Sequence, residues 1–154
     1  MEFNFGEGGE VKVIHVFKDA EKVEGAKELY DYLKEKELFK GNAGEIYPHI
    51  SYTGDKIILV GLGEENKVNF QTLRIAYAHV GKELMRSKIK STDIVVPKFE
   101  NLDYDKTIGA IVEGLLQSEY SYEKYLSEKK TKPCVENVYL DVLDGQEDLA
   151  KEVI

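Results

Sequence analysis

The segment Lys56–Gly63 constrains the fold of this 154-residue chain more than any other part of the sequence. Its four consecutive apolar residues, Ile57–Val60, are mostly β-branched and lead into Gly61-Leu62-Gly63. A short apolar run that ends in glycines is typical of a strand buried on both faces of a largely parallel sheet. Such a strand has to be covered by helices on both sides. We therefore predict one α/β domain, which the chain length also favours.

Other strands are predicted where short apolar runs lie between turn residues. They are Val11–Phe17, Glu45–Tyr52, Thr92–Val96 and Val135–Leu143. Pro48 interrupts the second of these, and Pro97 ends the third. Met1–Phe5 is predicted to be a short strand that turns back towards Val11 through the paired glycines Gly8 and Gly9.

Three helices are predicted between the strands. Val23–Lys36 has apolar residues at helical spacing, with Asp19 as its start signal. Asn69–Ser87 combines an N-cap residue with a continuous apolar stripe. A third helix begins at Asp103 or Asp105. Five of its apolar residues are expected on one side, namely Ile108, Ile111, Val112, Leu115 and Leu116.

The charge balance and the single cysteine exclude several classes of protein. Acids outnumber bases 29 to 21, and the resulting net charge of -8 disfavours general nucleic-acid binding. Cys134 alone cannot form an internal disulfide and indicates a reducing compartment. We find no apolar run of the roughly 20 residues that a membrane-spanning helix needs, and no secretory signal. The sequence therefore predicts a soluble cytoplasmic domain.

We find no recognisable catalytic, cofactor-binding or metal-ligating residues in the sequence. His15, His49 and His79 are widely spaced and form none of the short ligand motifs of a zinc site. Lysines near Cys134 could lower the pKa of its thiol, but no histidine is close in sequence to act as its base. We therefore predict that catalytic, cofactor and metal sites are all absent from these residues.

Two glycine motifs have a structural and a chemical interpretation. Gly61-Leu62-Gly63 resembles the start of a dinucleotide-binding loop, but the third glycine is missing and Glu64 and Glu65 would oppose a pyrophosphate. A tight turn is the favoured interpretation. The pair Glu113-Gly114 lies inside the third predicted helix, where a glycine usually permits close backbone packing. Glu113 would then be positioned by that contact, with no second acid at helical spacing for acid–base work.

An aromatic cluster follows the third helix. Tyr120, Tyr122 and Tyr125 could stack on bases or sugars, with Lys124 and neighbouring lysines supplying positive charge. The favoured alternative is a connecting segment whose rings fold down on the preceding helix, because the net charge of -8 opposes nucleic acid.

The series of segments resembles the N-terminal domain of the leucyl aminopeptidases, which are also called cytosol aminopeptidases. The resemblance is carried by Gly54–Gly63, by Thr72-Leu73-Arg74 in the following helix, and by Ala110–Leu116 with Tyr120–Tyr125 behind it. It implies a macro-domain-like fold, in which a mixed, largely parallel sheet is flanked by helices on both faces. It also implies a parent enzyme that removes N-terminal amino acids with two divalent metal ions, manganese or zinc.

The same resemblance implies that this chain is the non-catalytic part of that parent. The family's metal ligands and catalytic residues lie in a C-terminal domain, in motifs such as Asn-Thr-Asp-Ala-Glu-Gly-Arg, which this sequence lacks. The expected partners are the parent's own C-terminal domain and further copies in a hexamer, with no membrane. Nucleic acid is disfavoured by the net charge of -8, and a contact through the lysines after Tyr125 is the weaker alternative. The alternative is a free-standing macro-like domain that binds ADP-ribose or a related nucleotide.

The end of the chain bears on the expected domain organisation. Gln146–Ile154 begins an amphipathic helix that stops after fewer than three turns, without the usual stop signals. We therefore expect a macro-like domain over residues 1–143, followed by residues 144–154 as the start of a linker helix to a catalytic domain that lies outside this chain.

Overall fold

The computed structural model describes residues 2–6, 8–18, 27–50, 56–126 and 135–142. Six strands are found in these residues: β1 (Glu2–Phe5), β2 (Val11–Phe17), β3 (Ile46–Ile50), β4 (Lys56–Gly63), β5 (Ser91–Val95) and β6 (Asn137–Asp141). Three α-helices accompany them: α1 (Lys27–Glu35), α2 (Phe70–Arg86) and α3 (Tyr104–Leu126). A short 3₁₀ turn, Glu65–Lys67, connects β4 to α2.

The six strands form one sheet in the order β1-β6-β5-β2-β4-β3. Only the β3–β4 pair is antiparallel, and every other neighbouring pair is parallel. Pro48 is tolerated within β3 because β3 is an edge strand, where the missing N–H breaks no central ladder. The predicted α/β class with a mixed, largely parallel sheet is confirmed.

The core lies on both faces of the sheet. On one face, Val13 of β2 and Val60 of β4 pack with the buried sides of α2 and α3. On the other face, Ile14 and Leu59 pack with Tyr30 of α1. Neighbouring residues of one strand point to opposite faces, so both sides of β2 and β4 are apolar. The prediction of helices on both faces is therefore confirmed.

The prediction for the first strand is wrong in its pairing. β1 does not turn back as a hairpin on the strand that begins at Val11, but runs parallel to β6 at the edge of the sheet. The connecting segment is held against β5, because the Asp93 Oδ1 atom accepts the N–H groups of Gly8 at 2.9 Å and Gly9 at 2.7 Å. In the sheet, β6 and β5 lie between β1 and β2.

The N-terminal ends of α2 and α3 follow the predicted capping residues. The Asn69 side chain accepts the Thr72 N–H at 2.8 Å, and the Thr72 hydroxyl closes a reciprocal capping box. The helix α3 begins after Asp103, whose carbonyl accepts the Thr107 N–H at 2.9 Å. Asp103 is therefore the flanking residue of α3, and Asp105 lies in its first turn.

Two predictions about α3 are wrong. Leu116 is not on the buried side with the other four residues but is 43% exposed, because it lies one residue and about 100° beyond buried Leu115. The segment Tyr120–Tyr125 is not a connection folded on the helix; it is the continuation of α3, which ends at Leu126. The predicted start of the first helix, Cys134 and the predicted linker helix at 144–154 lie outside the described residues.

Candidate functional site

The carboxyl ends of the parallel strands form the edge where open α/β sheets usually bind ligands. A cavity of about 610 Å³ lies at this edge, between the segments that follow β4 and β5. Its lining includes the carboxylates of Glu65 and Glu100 and the buried ring of Phe99. The carboxylates give the cavity a negative field, which opposes a phosphate or pyrophosphate ligand.

The glycine motif at the end of β4 serves a close backbone approach. The Gly61 N–H donates to the Glu45 carbonyl at 2.7 Å, and the Gly63 N–H donates to the Gly41 carbonyl at 2.9 Å. A Cβ atom at Gly61 would overlap the Asn42 carbonyl oxygen. Both amides of the motif are thus engaged within the protein and do not form a phosphate cradle.

Residues 40–45 contain an anion-binding arrangement that is filled by the chain itself. The Glu45 Oε1 atom accepts the successive N–H groups of Lys40 at 2.9 Å, Gly41 at 2.9 Å and Asn42 at 3.2 Å. Consecutive amides that point at one centre bind anions. Sequence reasoning missed Glu45, although the glycines at 41 and 44, both with positive φ, marked an unusual loop.

The three histidines lie on three different elements of the fold. His49 is on the edge strand β3, and His79 on α2 has its Nδ1 atom 2.8 Å from the Gly44 carbonyl oxygen. His15 is on the central strand β2. Within the described ranges, no group of three or more His, Cys, Asp or Glu residues is arranged to hold a metal ion. The predicted absence of metal and catalytic sites from the whole chain stays a prediction.

His15 is an ionisable side chain on β2 whose pKa is strongly perturbed. Its Nδ1 atom is buried and has no hydrogen-bond partner among the described residues, and its ring packs edge-on against the Phe17 ring with the two ring centroids 5.5 Å apart. Burial lowers the pKa of His15 to about 4, and a hydrogen bond with the Val95 backbone opposes part of that effect. The imidazole is therefore neutral at physiological pH. Among the described residues, no carboxylate is hydrogen-bonded to His15 to orient the ring as a catalytic base.

A second cavity, of about 540 Å³, lies on the outer side of the α2–α3 pair, and we call it the helix groove. The two helices cross closely at Gly114, where a Cβ atom would lie 2.5 Å from the Arg74 carbonyl oxygen and 3.1 Å from the Ala78 nitrogen. This contact confirms the predicted role of Gly114. Glu113 is positioned beside it, and its Oε2 atom accepts the Arg74 Nε–H at 2.6 Å.

The described residues contain no helix that is both long and apolar enough to cross a membrane.

Comparison with known proteins assigns the chain to a family. Residues 13–129 match the model of the cytosol aminopeptidase family, N-terminal domain. A "Probable cytosol aminopeptidase" of Clostridium tetani is 55% identical over 148 residues, which are 96% of this chain and 31% of that protein. Its counterpart in Treponema denticola is 34% identical over the whole chain and 31% of its own length. The chain thus spans about a third of the length of these relatives.

Solved structures share the fold at low sequence identity. A tomato leucine aminopeptidase mutant has a TM-score of 0.71 and 16% identity, over 99% of this chain and 35% of that chain. The bottromycin maturation enzyme BotP in complex with Mn has a TM-score of 0.68 and 15% identity. The match covers 96% of this chain and 29% of the BotP chain. The macrodomain of Thermus aquaticus DarG has a TM-score of 0.62 and 12% identity. The match covers 92% of this chain and 97% of the DarG macrodomain chain.

These structural likenesses establish the fold alone, and the sequence matches establish the relationship. The chain belongs to the cytosol aminopeptidase family, of which it represents the N-terminal domain.

Proposed function

We propose that this chain is the non-catalytic N-terminal module of a metal-dependent aminopeptidase and that it supports the assembly of the whole enzyme. The observation that carries the proposal is the match of residues 13–129 to the family's N-terminal domain, in a chain that spans about a third of its relatives. The parent would act in the cytoplasm, on the N-terminal residues of peptides.

The polar groups of the described residues support a structural role. The Glu45 carboxylate is bound by three amides of its own loop, and the amides of Gly61 and Gly63 are engaged by backbone carbonyls. Glu113 is engaged by Arg74. A metallo-aminopeptidase instead needs several free side chains that converge on one point.

The metal chemistry would belong to the part of the parent beyond this chain. Two divalent ions bound there, manganese or zinc, would supply Lewis-acid polarisation of the scissile carbonyl and activation of water. The Mn named with BotP is consistent with this expectation. The partners of the present chain would be the parent's C-terminal domain and further copies of the same protein, in a hexamer.

The proposal is tested by assaying the 154-residue chain on leucine amides with manganese, zinc or cobalt added. We expect no turnover above that of a mock purification, while a full-length relative such as the Clostridium tetani protein provides the positive control. Metal-dependent turnover that co-purifies with the chain would contradict the proposal.

The alternative, a macro-like domain that binds ADP-ribose, has the fold in its favour. The carboxylates of Glu65 and Glu100 in the carboxyl-edge cavity and the engaged glycine amides count against it. Titration calorimetry with ADP-ribose separates the two functions, because the module proposed here should give no saturable heat.

A further inference from the structure

The helix groove combines apolar side chains with one charged pair. Its apolar lining includes Ile75 and Ala78 of α2 and Leu116 of α3, and the side chains of Ile75 and Leu116 are exposed. The charged pair is Arg74 with Glu113. A cavity that has apolar walls and a small number of polar groups is typical of a small-molecule site.

The size of the helix groove favours a small ligand over a protein partner. Its volume of about 540 Å³ lies within the range of about 300–1,000 Å³ that is usual for small-molecule sites. Eight residues line it, whereas a stable protein interface takes about 20–30 residues from each partner. Its two large exposed apolar side chains, Ile75 and Leu116, suit contact with one aliphatic group.

The groove is built on two helices that are in close contact. Gly114 lies against the backbone of Arg74 and Ala78, and Gly81 lies against the Ser118 side chain. A larger side chain at either glycine would separate the helices. The elements that carry the charged and the apolar groups are therefore fixed relative to each other, which reduces the entropy lost on binding.

The charged pair keeps hydrogen-bonding groups that can serve a ligand. Arg74 has five N–H donors, and the one on Nε donates to the Glu113 Oε2 atom at 2.6 Å. Within the part of the chain that the structure describes, no hydrogen bond engages the Nη1 and Nη2 groups of Arg74 or the Oε1 atom of Glu113. Both side chains are exposed. The guanidinium can therefore bind a carboxylate, and the Glu113 carboxylate can bind an ammonium group, without separation of the pair.

The short distance between the two charges favours a free α-amino acid. Its ammonium nitrogen and carboxylate carbon are bonded to the same carbon and lie about 2.5 Å apart. In the ion pair, the Arg74 Nε and Glu113 Oε2 atoms are 2.6 Å apart, so a zwitterion of this size can place each of its charges beside the opposite charge of the pair. Each further residue of a peptide separates its terminal charges by up to about 3.3–3.6 Å more. A peptide is therefore a poorer match.

We propose that the helix groove binds a free α-amino acid with an aliphatic side chain, such as leucine. The carboxylate of the ligand binds the Arg74 guanidinium, and its ammonium group binds the Glu113 carboxylate. Its side chain packs on Ile75 and Leu116. The inference goes beyond the proposed function, because the binding involves no catalysis by this chain or by its parent.

Titration of the isotope-labelled 154-residue chain with leucine at neutral pH, followed by NMR, tests the site. We expect saturable shifts of the backbone amides around Arg74 and Glu113, with a dissociation constant on the order of 1 mM, because the groove is open to solvent and the ligand is small. Isocaproate lacks the ammonium group of leucine, and isoamylamine lacks its carboxylate. Each should bind at least about tenfold more weakly, because one charge of the pair is then left without its partner.

Three variants locate the binding. Arg74→Gln and Glu113→Gln each remove one charge of the pair, and each should raise the dissociation constant for leucine at least about tenfold. The matched control is Arg86→Gln, which removes a charge from the ion pair with Glu83 on the same helix, outside the lining of the groove. It should bind leucine like the wild type. All three substituted side chains are exposed, and the amide spectrum of each variant without ligand checks that it folds.

A wild-type chain that shows no saturable shifts up to about 50 mM leucine would overturn the inference. Shifts that lie outside the groove, or that persist unchanged in Arg74→Gln or in Glu113→Gln, would also overturn it. The same holds if isocaproate, isoamylamine or dileucine binds as tightly as leucine, because the two charges would then not select the ligand. Titration with leucine involves no hydrolysis, so a failure here is distinguishable from a failure of the non-catalytic role.

Discussion

Acidification should destabilise this domain through His15, because its neutral imidazole must gain a proton in a buried position. The folded-state pKa of about 4 lies below the ordinary value of 6.5, so the unfolded chain binds the proton more readily between these two values. The free energy of unfolding therefore rises with pH in this range. The contribution of His15 is complete above about pH 6.5 and is lost as the pH falls towards 4.

The size of the effect follows from the two pKa values. One pKa unit corresponds to about 1.36 kcal/mol. Lowering the pKa of His15 from 6.5 to about 4 therefore reduces the free energy of unfolding by about 3.4 kcal/mol once His15 is fully protonated in both states. At about pH 4.5 most of this reduction has already occurred, and the free energy of unfolding is about 2.5 kcal/mol lower than at neutral pH. Solvent lowers this cost, because His15 as a residue is only partly buried although its Nδ1 atom is fully so, and these values are therefore upper limits.

The assay is urea denaturation of the wild type and of His15→Leu at about pH 7 and about pH 4.5. Carboxylates titrate in both proteins and cancel in the comparison, so the wild type should lose about 2.5 kcal/mol more than the variant. His15→Gln is a second uncharged variant that can still donate to the Val95 backbone. Equal losses in all three proteins would refute the reasoning.

Three further substitutions test the packing and the local hydrogen bonds, each by urea denaturation. Gly114→Ala should lower the free energy of unfolding by about 1–2 kcal/mol, because the new methyl group meets backbone atoms of α2. This cost exceeds the gain in helix propensity from alanine, so a stabilised variant would contradict the close crossing of the two helices. Asn69→Ala should cost about 1 kcal/mol through loss of the cap, whereas Asn69→Asp should be nearly neutral. Glu45→Ala should lower the free energy of unfolding by about 1–2 kcal/mol, because three amides lose their acceptor. Glu45→Gln keeps an acceptor oxygen and should lower it less. Equal losses for the two variants would argue against the carboxylate contact.

Much of the secondary structure could be predicted because its signals are local. The apolar run of β4 and the Asn69 cap of α2 act over a few residues, and the structure places both elements where the sequence indicates. The failures have long-range causes. β1 pairs with β6, more than 130 residues away, and the side chain of Asp93 on β5 binds the Gly8 and Gly9 amides between β1 and β2.

In the candidate sites, too, local features could be predicted from the sequence and long-range contacts could not. The glycine at 114 predicted a close approach, but not which helix would approach it. The contact of Arg74 with Glu113 joins residues 39 positions apart, and that of His79 with Gly44 joins residues 35 apart. No periodicity or spacing within the sequence encodes such pairs.

By itself, the sequence determined the α/β class, the presence of the helices α1, α2 and α3, and the family, because strand and helix periods, caps and short motifs are read within short windows. Tertiary structure decided that β1 and β3 lie at the edges of the sheet and that Leu116 faces outward beside Ile75. It also decided that the Nδ1 atom of His15 is buried with no hydrogen-bond partner among the described residues. The physical reason is that burial and pairing depend on how distant elements pack against each other, and that arrangement exists only in the folded chain.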